Sequence, residues 1–267
     1  MKFIDQLNRV IQLQKTPKSI VSLVPSLTEL ICDLGLKTWL VGVTKFCVHP
    51  KSIREEAVIV GGTKQVHFNK IQDLNPDIIL CNKEENTIEM IQELEKIAPV
   101  HISDINSVLD CHELIEMYGK IFNVQSQSNF IIESLIKEQL DFEFFVKDKP
   151  MQSVAYFIWK EPWMAVGNET FIDYMLSVNR FKNFFNKQSR YPEIDLINEY
   201  PDVKYVFLSS EPYPFKTSHA EELQANFPNA KIVLVNGEMF SWYGSRLIKA
   251  FSYFKKLNNE LNNAKLN

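Results

Sequence analysis

Two stretches of the chain place carboxylates where chemistry could use them. Residues 76–86 read PDIILCNKEEN and residues 201–211 read PDVKYVFLSSE. Each is a Pro-Asp pair, an apolar run and a polar tip carrying glutamate. Glu84, Glu85 and Glu211, with Lys83 and Lys160, fit three roles: a solvated rim, a polar ring around a cationic or amide-bearing ligand, or a paired-carboxylate hydrolase. The last needs two acids about 5–9 Å apart with separated pKa values. Cys47-Val-His49 offers one soft and one imidazole donor, but metal sites take three or four ligands and no second pair stands near in sequence. His49 is then a hydrogen-bonded loop histidine or a lone axial ligand.

Common catalytic frames are missing. His112-Glu113 starts an HExxH-like run but meets Glu116 where the second histidine belongs. GGTK at 61–64 lacks the spacing of a phosphate-binding loop, and neither GxGxxG nor GxSxG occurs. His67, His101, His112 and His219 follow no ligand spacing.

The elements that would position these groups alternate. SIVSLVP (19–25) reads as a buried strand, and SLTELICDLGL as a helix capped by Ser26 or Thr28 and ended at Gly35. LVGVT, IILC and PVHISD read as strands, with NKIQDLNP and TIEMIQELEKI as helices. The second half repeats the pattern: strands SVAYFIW, VKYVFLSS and KIVLVNG, helices NETFIDYMLSVN and SHAEELQANF. Strands separated by helices pair in parallel, because a crossover must return the chain. Ligands of parallel α/β sheets sit beyond the carboxyl ends of the strands, so NKEEN and SSEPYPF are matching tips. Between the halves, Ile132, Ile136, Leu140 and Phe144 fall at i, i+4 steps, one stripe of a long helix. The expected fold is α/β: an N-terminal lobe over 1–122, a connecting helix over 123–148 and a C-terminal lobe over 149–267. Each lobe carries a mainly parallel sheet flanked by helices.

Composition narrows the class. The chain has 267 residues, 45% hydrophobic and 23% charged, with formal net charge -4, an ordinary folded protein without a basic stripe for nucleic acid. No apolar run reaches the roughly 18 residues of a membrane span, and the N-terminus lacks the apolar core of an export signal. The expectation is a cytoplasmic monomer as it stands, or an envelope protein if a leader was removed. The four cysteines form no CxxC and read as reduced, mostly buried thiols.

The opening KFIDQLNRVIQLQKTPKSIVSLVPSLTELICDLGL, then LVGVT, VGGT, LNPDIIL and LINEYPDVKYVFLSS, resemble in order the helical-backbone substrate-binding proteins of ABC importers, closest to the cobalamin-binding and metal-receptor branch. The resemblance implies two α/β lobes, one long connecting helix and a ligand clamped between the lobes: a corrinoid first, a siderophore or haem next, as cargo and not as a required cofactor. By matching position it implies a ligand contact from Phe46 in the first half, where Pro25, Ser26, Lys64 and Glu84 are further candidate contacts and His49 a candidate axial ligand. In the second half it implies Trp159, Trp163, Tyr191, Glu238, Phe240, Trp242 and Tyr243, with Glu211 and Tyr213 at the strand tip as further candidates. Aromatic faces bury large area at low rotamer cost, which suits a planar guest. Phe46 and Phe240 read equally as core. EMFSWYGSR reads as a polar-bounded loop that exposes Trp242 and Tyr243.

Two departures stand out. Exported relatives carry a leader, and permease-bound ones place a glutamate on each lobe, where this chain has Asn69 and Ile197 or Asn198. Glu193 and Asp195 could substitute on one side only. The competing reading is therefore a cytosolic carrier, sensor or metal-cofactor enzyme on the same scaffold.

Overall fold

A computed structural model of the chain describes residues 1–263. It divides into two compact units: Met1–Lys137 with Tyr243–Ile248, and Glu138–Trp242 with the chain from Lys249 onward.

The first unit opens with an antiparallel hairpin, β1 (Lys2–Ile4) against β2 (Val10–Gln12). Asp5 fixes its turn by accepting from the amides of Leu7 and Arg9. Next come β3 (Ile20–Ser22), α1 (Pro25–Asp33), β4 (Leu40–Val43), α2 (Ile53–Glu56), β5 (Val58–Ile59) and α3 (Phe68–Asp73). Then follow β6 (Ile78–Asn82), α4 (Ile88–Leu94), β7 (Val100–Ser103), α5 (Val108–Phe122) and α6 (Gln125–Val146). The sheet runs β5-β4-β3-β6-β7, parallel at every step. All five residues of β6 are buried, as expected of a strand covered by helices on both faces.

Local chemistry sets the boundaries. Pro25 stands in the first turn of α1, where its missing N–H costs nothing. Val24 is the N-cap and contributes no side-chain bond, so neither Ser26 nor Thr28 caps this helix. Gly35 takes φ +80° just past the helix end, the conformation expected there. Thr87 and Ser107 cap α4 and α5 through their hydroxyls. Gly119 permits α5 and α6 to approach, since a Cβ there would lie 2.1 Å from Ser128 Oγ.

The second unit contains β8 (Gln152–Trp159), β9 (Met164–Ala165), α7 (Phe171–Val178), β10 (Phe181–Asn183), β11 (Tyr205–Ser209) and α8 (Thr217–Leu223). β12 (Lys231–Val235), α9 (Gly237–Ser241) and α10 (Arg246–Asn263) complete the described residues. Its sheet runs β10-β8-β11-β12 in parallel, with β9 antiparallel to β8. Aromatic rings fill its core: Phe157 meets Trp163, Phe185 and Phe227 edge-on at 5.7–6.3 Å.

The α/β class, the parallel sheets and the long connecting helix agree with the sequence expectations; the reading of EMFSWYGSR as an open loop does not. The boundary between units falls inside α6, between Lys137 and Glu138, and Tyr243–Ile248 joins the first unit. The stripe Ile136, Leu140 and Phe144 is exposed, and α6 is buried through Ser128, Ile131, Leu135, Phe142 and Val146 instead. Both stripes have helical spacing, so periodicity alone does not choose between them. EMFSWYGSR is no open loop: it forms α9 and the buried turn into α10. No helix among the described residues is long and apolar enough to cross a membrane.

Candidate functional site

In the first unit the polar groups gather at the carboxyl ends of β3, β4, β6 and β7. Asn82 ends β6 and organises the tip. Its Oδ1 accepts from the amides of Glu84 at 2.8 Å and Glu85 at 3.3 Å. Its Nδ2 donates to Ser103 O and Oγ on β7, at 3.0 and 3.1 Å. Asn86 closes the loop, accepting from Asn82 N and donating to Thr63 O. Lys64 Nζ donates to the carbonyl of Glu84 at 2.5 Å. The loop NKEEN is thus held by side-chain amides at both ends, a fixed turn in place of mobile chain.

Glu85 differs from its neighbour. Glu84 is exposed, whereas Glu85 is half-buried over the whole residue. Desolvation of its carboxyl pushes the pKa above the usual carboxylate range, with Lys64 and a bond to Thr63 pulling the other way. Tyr243 stands on the same floor, its hydroxyl 3.4 Å from Ser103 Oγ. Burial pushes this phenol up; bonding to Ser103 and Ser26 opposes that and Glu85 adds to it. Ser26 is buried and Pro25 half-buried at the β3 tip.

The β4 tip carries Phe46, half exposed at 50%, with Lys45 Nζ 5.0 Å from its ring centre. Its backbone amide donates to Thr44 Oγ1. Cys47 turns inward beside Thr28 and Thr44, at 3.1 and 3.2 Å, and burial raises its thiol pKa. An inward, protonated thiol does not pair with the half-buried His49 as a metal donor. Among the described residues, no three His, Cys, Asp or Glu side chains are grouped to hold a metal ion. All four cysteines are free, and all but Cys32 are buried.

In the second unit the tips of β8 and β11 build an aromatic group. Trp159, 40% exposed, meets Tyr213 edge-on at 5.6 Å. Tyr213 meets Phe215 at 4.7 Å, and Phe215 stacks on Trp163 at 5.6 Å with planes 12° apart. Lys160 lies over Trp163 and pairs with Glu222 at 2.5 Å, while Lys83 of the other unit pairs with Asp104 at 2.7 Å.

Glu211, two residues past the end of β11, is anchored: its Oε1 accepts from Trp242 Nε1 and Ser241 Oγ, each at 2.8 Å. Gly237 allows α9 to start against this tip, because a Cβ would lie 2.4 Å from Ser209 Oγ and 2.7 Å from Glu211 Cγ. Asn236 caps α9 through the amide of Glu238, which is half-buried. Tyr191 is half-buried, with the Arg190 guanidinium 5.6 Å from its ring. Burial raises the phenol of Tyr156, which donates to Ser209, and both Glu211 and Tyr191 add to the rise.

Three expectations for the site change. Phe240 is fully buried against Tyr156 and Phe254, at 5.2 and 4.8 Å, and belongs to the core. Trp242 and Tyr243 are buried rather than displayed: one fixes Glu211, the other sits over Ser103. Asn82, Ser103 and the distinct setting of Glu85 were missed. Asn82 and Asn86 flanking two acids at a strand end was a readable turn signal, whereas Ser103 left none. At the positions expected to meet a permease, Asn69 lies exposed on α3 and Ile197 is 91% exposed beside Glu193 and Asp195.

The chain is 28% identical over 188 residues to the Bacillus subtilis (strain 168) protein described as an uncharacterized ABC transporter substrate-binding lipoprotein, YvrC. That match takes in 67% of this chain and 59% of the relative, so it spans well under two thirds of the relative's length. Among solved structures, the periplasmic vitamin B12 binding protein BtuF of Vibrio cholerae superposes with TM-score 0.75 at 16% identity, over 92% of this chain and 98% of that one. The periplasmic heme-binding protein RhuT from Roseiflexus sp. RS-1 gives TM-score 0.79 at 14% identity, over 91% and 98%. At such identities the likeness is one of fold. The profile of the periplasmic binding protein family matches residues 20–228, most of both units, and the chain belongs to that family.

Proposed function

We propose that this protein is a substrate-binding protein of ABC-type import that captures a large ring or metal chelate: a corrinoid first, a siderophore or haem next. The observation that carries the reading is that each sheet presents both aromatics and acids at its strand tips: exposed Phe46 and the acids Glu84 and Glu85 in one, exposed Trp159, half-buried Tyr213 and Glu211 in the other. Aromatic faces supply burial for a planar guest, and carboxylates accept from its edge. A corrinoid edge bears carboxamides, which donate; haem propionates would meet like charge at these acids. Lys83 and Lys160 are paired, which lowers their value as propionate partners. Pro25, Ser26 and Lys64 complete the first set of contacts, and Trp163, Tyr191 and Glu238 the second. His49, in the loop that carries Phe46, would supply an axial imidazole. None of these roles requires covalent chemistry.

A second reading has its own support: Asn69 and Ile197 stand at the expected permease contacts. It is a carrier or sensor with the same ligand class and no permease.

The test is to incubate the purified protein with cyanocobalamin, cobinamide, haemin and ferric siderophores, then measure retained absorbance and melting temperature. A ligand at 100 times its dissociation constant adds about 2.7 kcal/mol of stability. The proposal expects a corrinoid to give the largest shift. A flat response to every compound sinks it.

A further inference from the structure

The amino ends of the second unit's strands border a recess with a volume of about 20 Å³. Gln152 opens β8, Phe181 opens β10 and Tyr205 opens β11, and all three line it. α10 contributes Asn258 and Asn262. The recess thus lies at the opposite end of this sheet from Trp159, which ends β8, and from Glu211 beyond β11.

Lys149 and Arg180 stand in the lining, and no carboxylate does. The two are yoked, since Arg180 Nε donates to the carbonyl of Lys149 at 3.3 Å. Lys149 Nζ stands 4.2 Å from the Phe145 ring centre, and among the described residues neither cation forms an ion pair. Asp148, adjacent in the chain, is exposed and does not line the recess. Arg180 also takes φ 62°, in the left-handed region, at the turn that ends α7. Glycine or asparagine is favoured there, and an arginine held against that preference is a strain that a role for its side chain explains. Neutral donors add to the cations. Tyr205 is 3% exposed, and its hydroxyl has no hydrogen-bond partner among the described residues. Burial pushes this phenol up, so it keeps its proton at neutral pH. Asn262 Nδ2 gives one hydrogen to Asn258 O at 2.8 Å and keeps the other. Cations and donors without a carboxylate suit an anion.

We propose that this recess binds one small inorganic anion, a phosphate or a chloride, held by Lys149, Arg180 and Tyr205. Its volume of about 20 Å³ exceeds the roughly 10–15 Å³ that a single water needs. It admits one chloride, or one oxygen of a phosphate whose other oxygens stay at the mouth beside the two cations. A bound anion ties together the loop before β8, the turn after α7 and α10, so its signature is added stability. The site stands apart from the strand tips proposed to hold the guest and does not depend on that guest's identity.

Thermal melts of the full chain test it, with the bulky anion of sodium HEPES replaced stepwise by phosphate or chloride at fixed pH and ionic strength. For a millimolar dissociation constant the wild type should gain about 3–5 °C by roughly 30 mM anion, half of it within about the first 5 mM. The anion with the larger shift identifies the occupant. Arg180→Gly removes the guanidinium yet suits the left-handed backbone, so it should melt close to wild type in HEPES and lose the response. Lys149→Gln should move the response to about tenfold higher concentration. A rise that is linear in salt and persists in Arg180→Gly is general exclusion of salt from the protein surface and overturns the proposal, as does the absence of a shift with either anion.

Discussion

Trp242 donates its indole N–H to Oε1 of Glu211 at 2.8 Å, and Ser241 Oγ reaches the same oxygen. An acid that would otherwise swing at a strand tip is thereby fixed on one side, and the indole that fixes it is itself buried. Trp242→Ala should destabilise the protein by about 3–5 kcal/mol through lost packing. Trp242→Phe should cost about 1.5–3 kcal/mol, chiefly the bond to a charged acceptor. Urea unfolding of both variants checks the order; a Trp242→Phe variant as stable as wild type would mean the bond to Glu211 contributes nothing.

Phe46 and Trp159 are exposed at strand tips, and neither holds up a core. Phe46→Ala and Trp159→Ala should each lower affinity for cobinamide by about five- to tenfold while changing stability by less than about 1 kcal/mol. Absorbance titration with parallel thermal melts separates the two effects. Phe240→Ala is the contrasting case, expected to cost about 3–5 kcal/mol as a core truncation.

Glu85 gives a pH prediction. Its folded pKa lies above the ordinary 4.5 because burial disfavours the charge. Between those two values the folded protein holds the extra proton, so this group's contribution to stability falls as pH rises. Glu85→Gln should therefore be more stable than wild type at pH 7, with the difference fading below about pH 4.5. Stability curves of the pair across pH 4 to 8 decide it, and a gap that widens toward acid would contradict the assignment.

His101 works with the opposite sign. It is fully buried, with Nδ1 3.3 Å from Tyr118 OH and Nε2 3.1 Å from Met117 Sδ. Burial lowers its pKa from 6.5 to about 3. The unfolded chain then binds the proton first, so stability present above pH 6.5 is lost as pH falls toward 3, by up to about 1.4 kcal/mol per pH unit. His101→Gln should flatten the acid limb of the stability profile, measured by urea midpoint against pH.

Much of this architecture could be read in advance. IILC and VFLSS are apolar runs too short for helices, each opened by a Pro-Asp pair and closed by polar residues, and both became fully buried parallel strands. α5 lies outside the sequence expectations although Ser107 caps it and Val108, Cys111, Leu114, Ile115 and Tyr118 repeat at the spacing of a plain amphipathic helix. α10 lies outside them as well. Glu84 and Glu85 are chemically identical neighbours, and it is burial, which strips water from the carboxyl of Glu85 while Glu84 stays exposed, that sets one of them apart.

The amino-acid sequence by itself determined the alternation of strands and helices, the parallel pairing this requires and the polar character of the strand tips. These follow from hydrophobic period, capping residues and chain reach, all of which act within a few residues. Tertiary structure decided which of two apolar stripes on α6 is buried, that Phe240 is core, and that Trp242 and Tyr243 anchor polar groups rather than face solvent. Those outcomes depend on burial by residues distant in the chain, and the energy of burying a side chain is a property of its neighbours, not of its own place in the sequence.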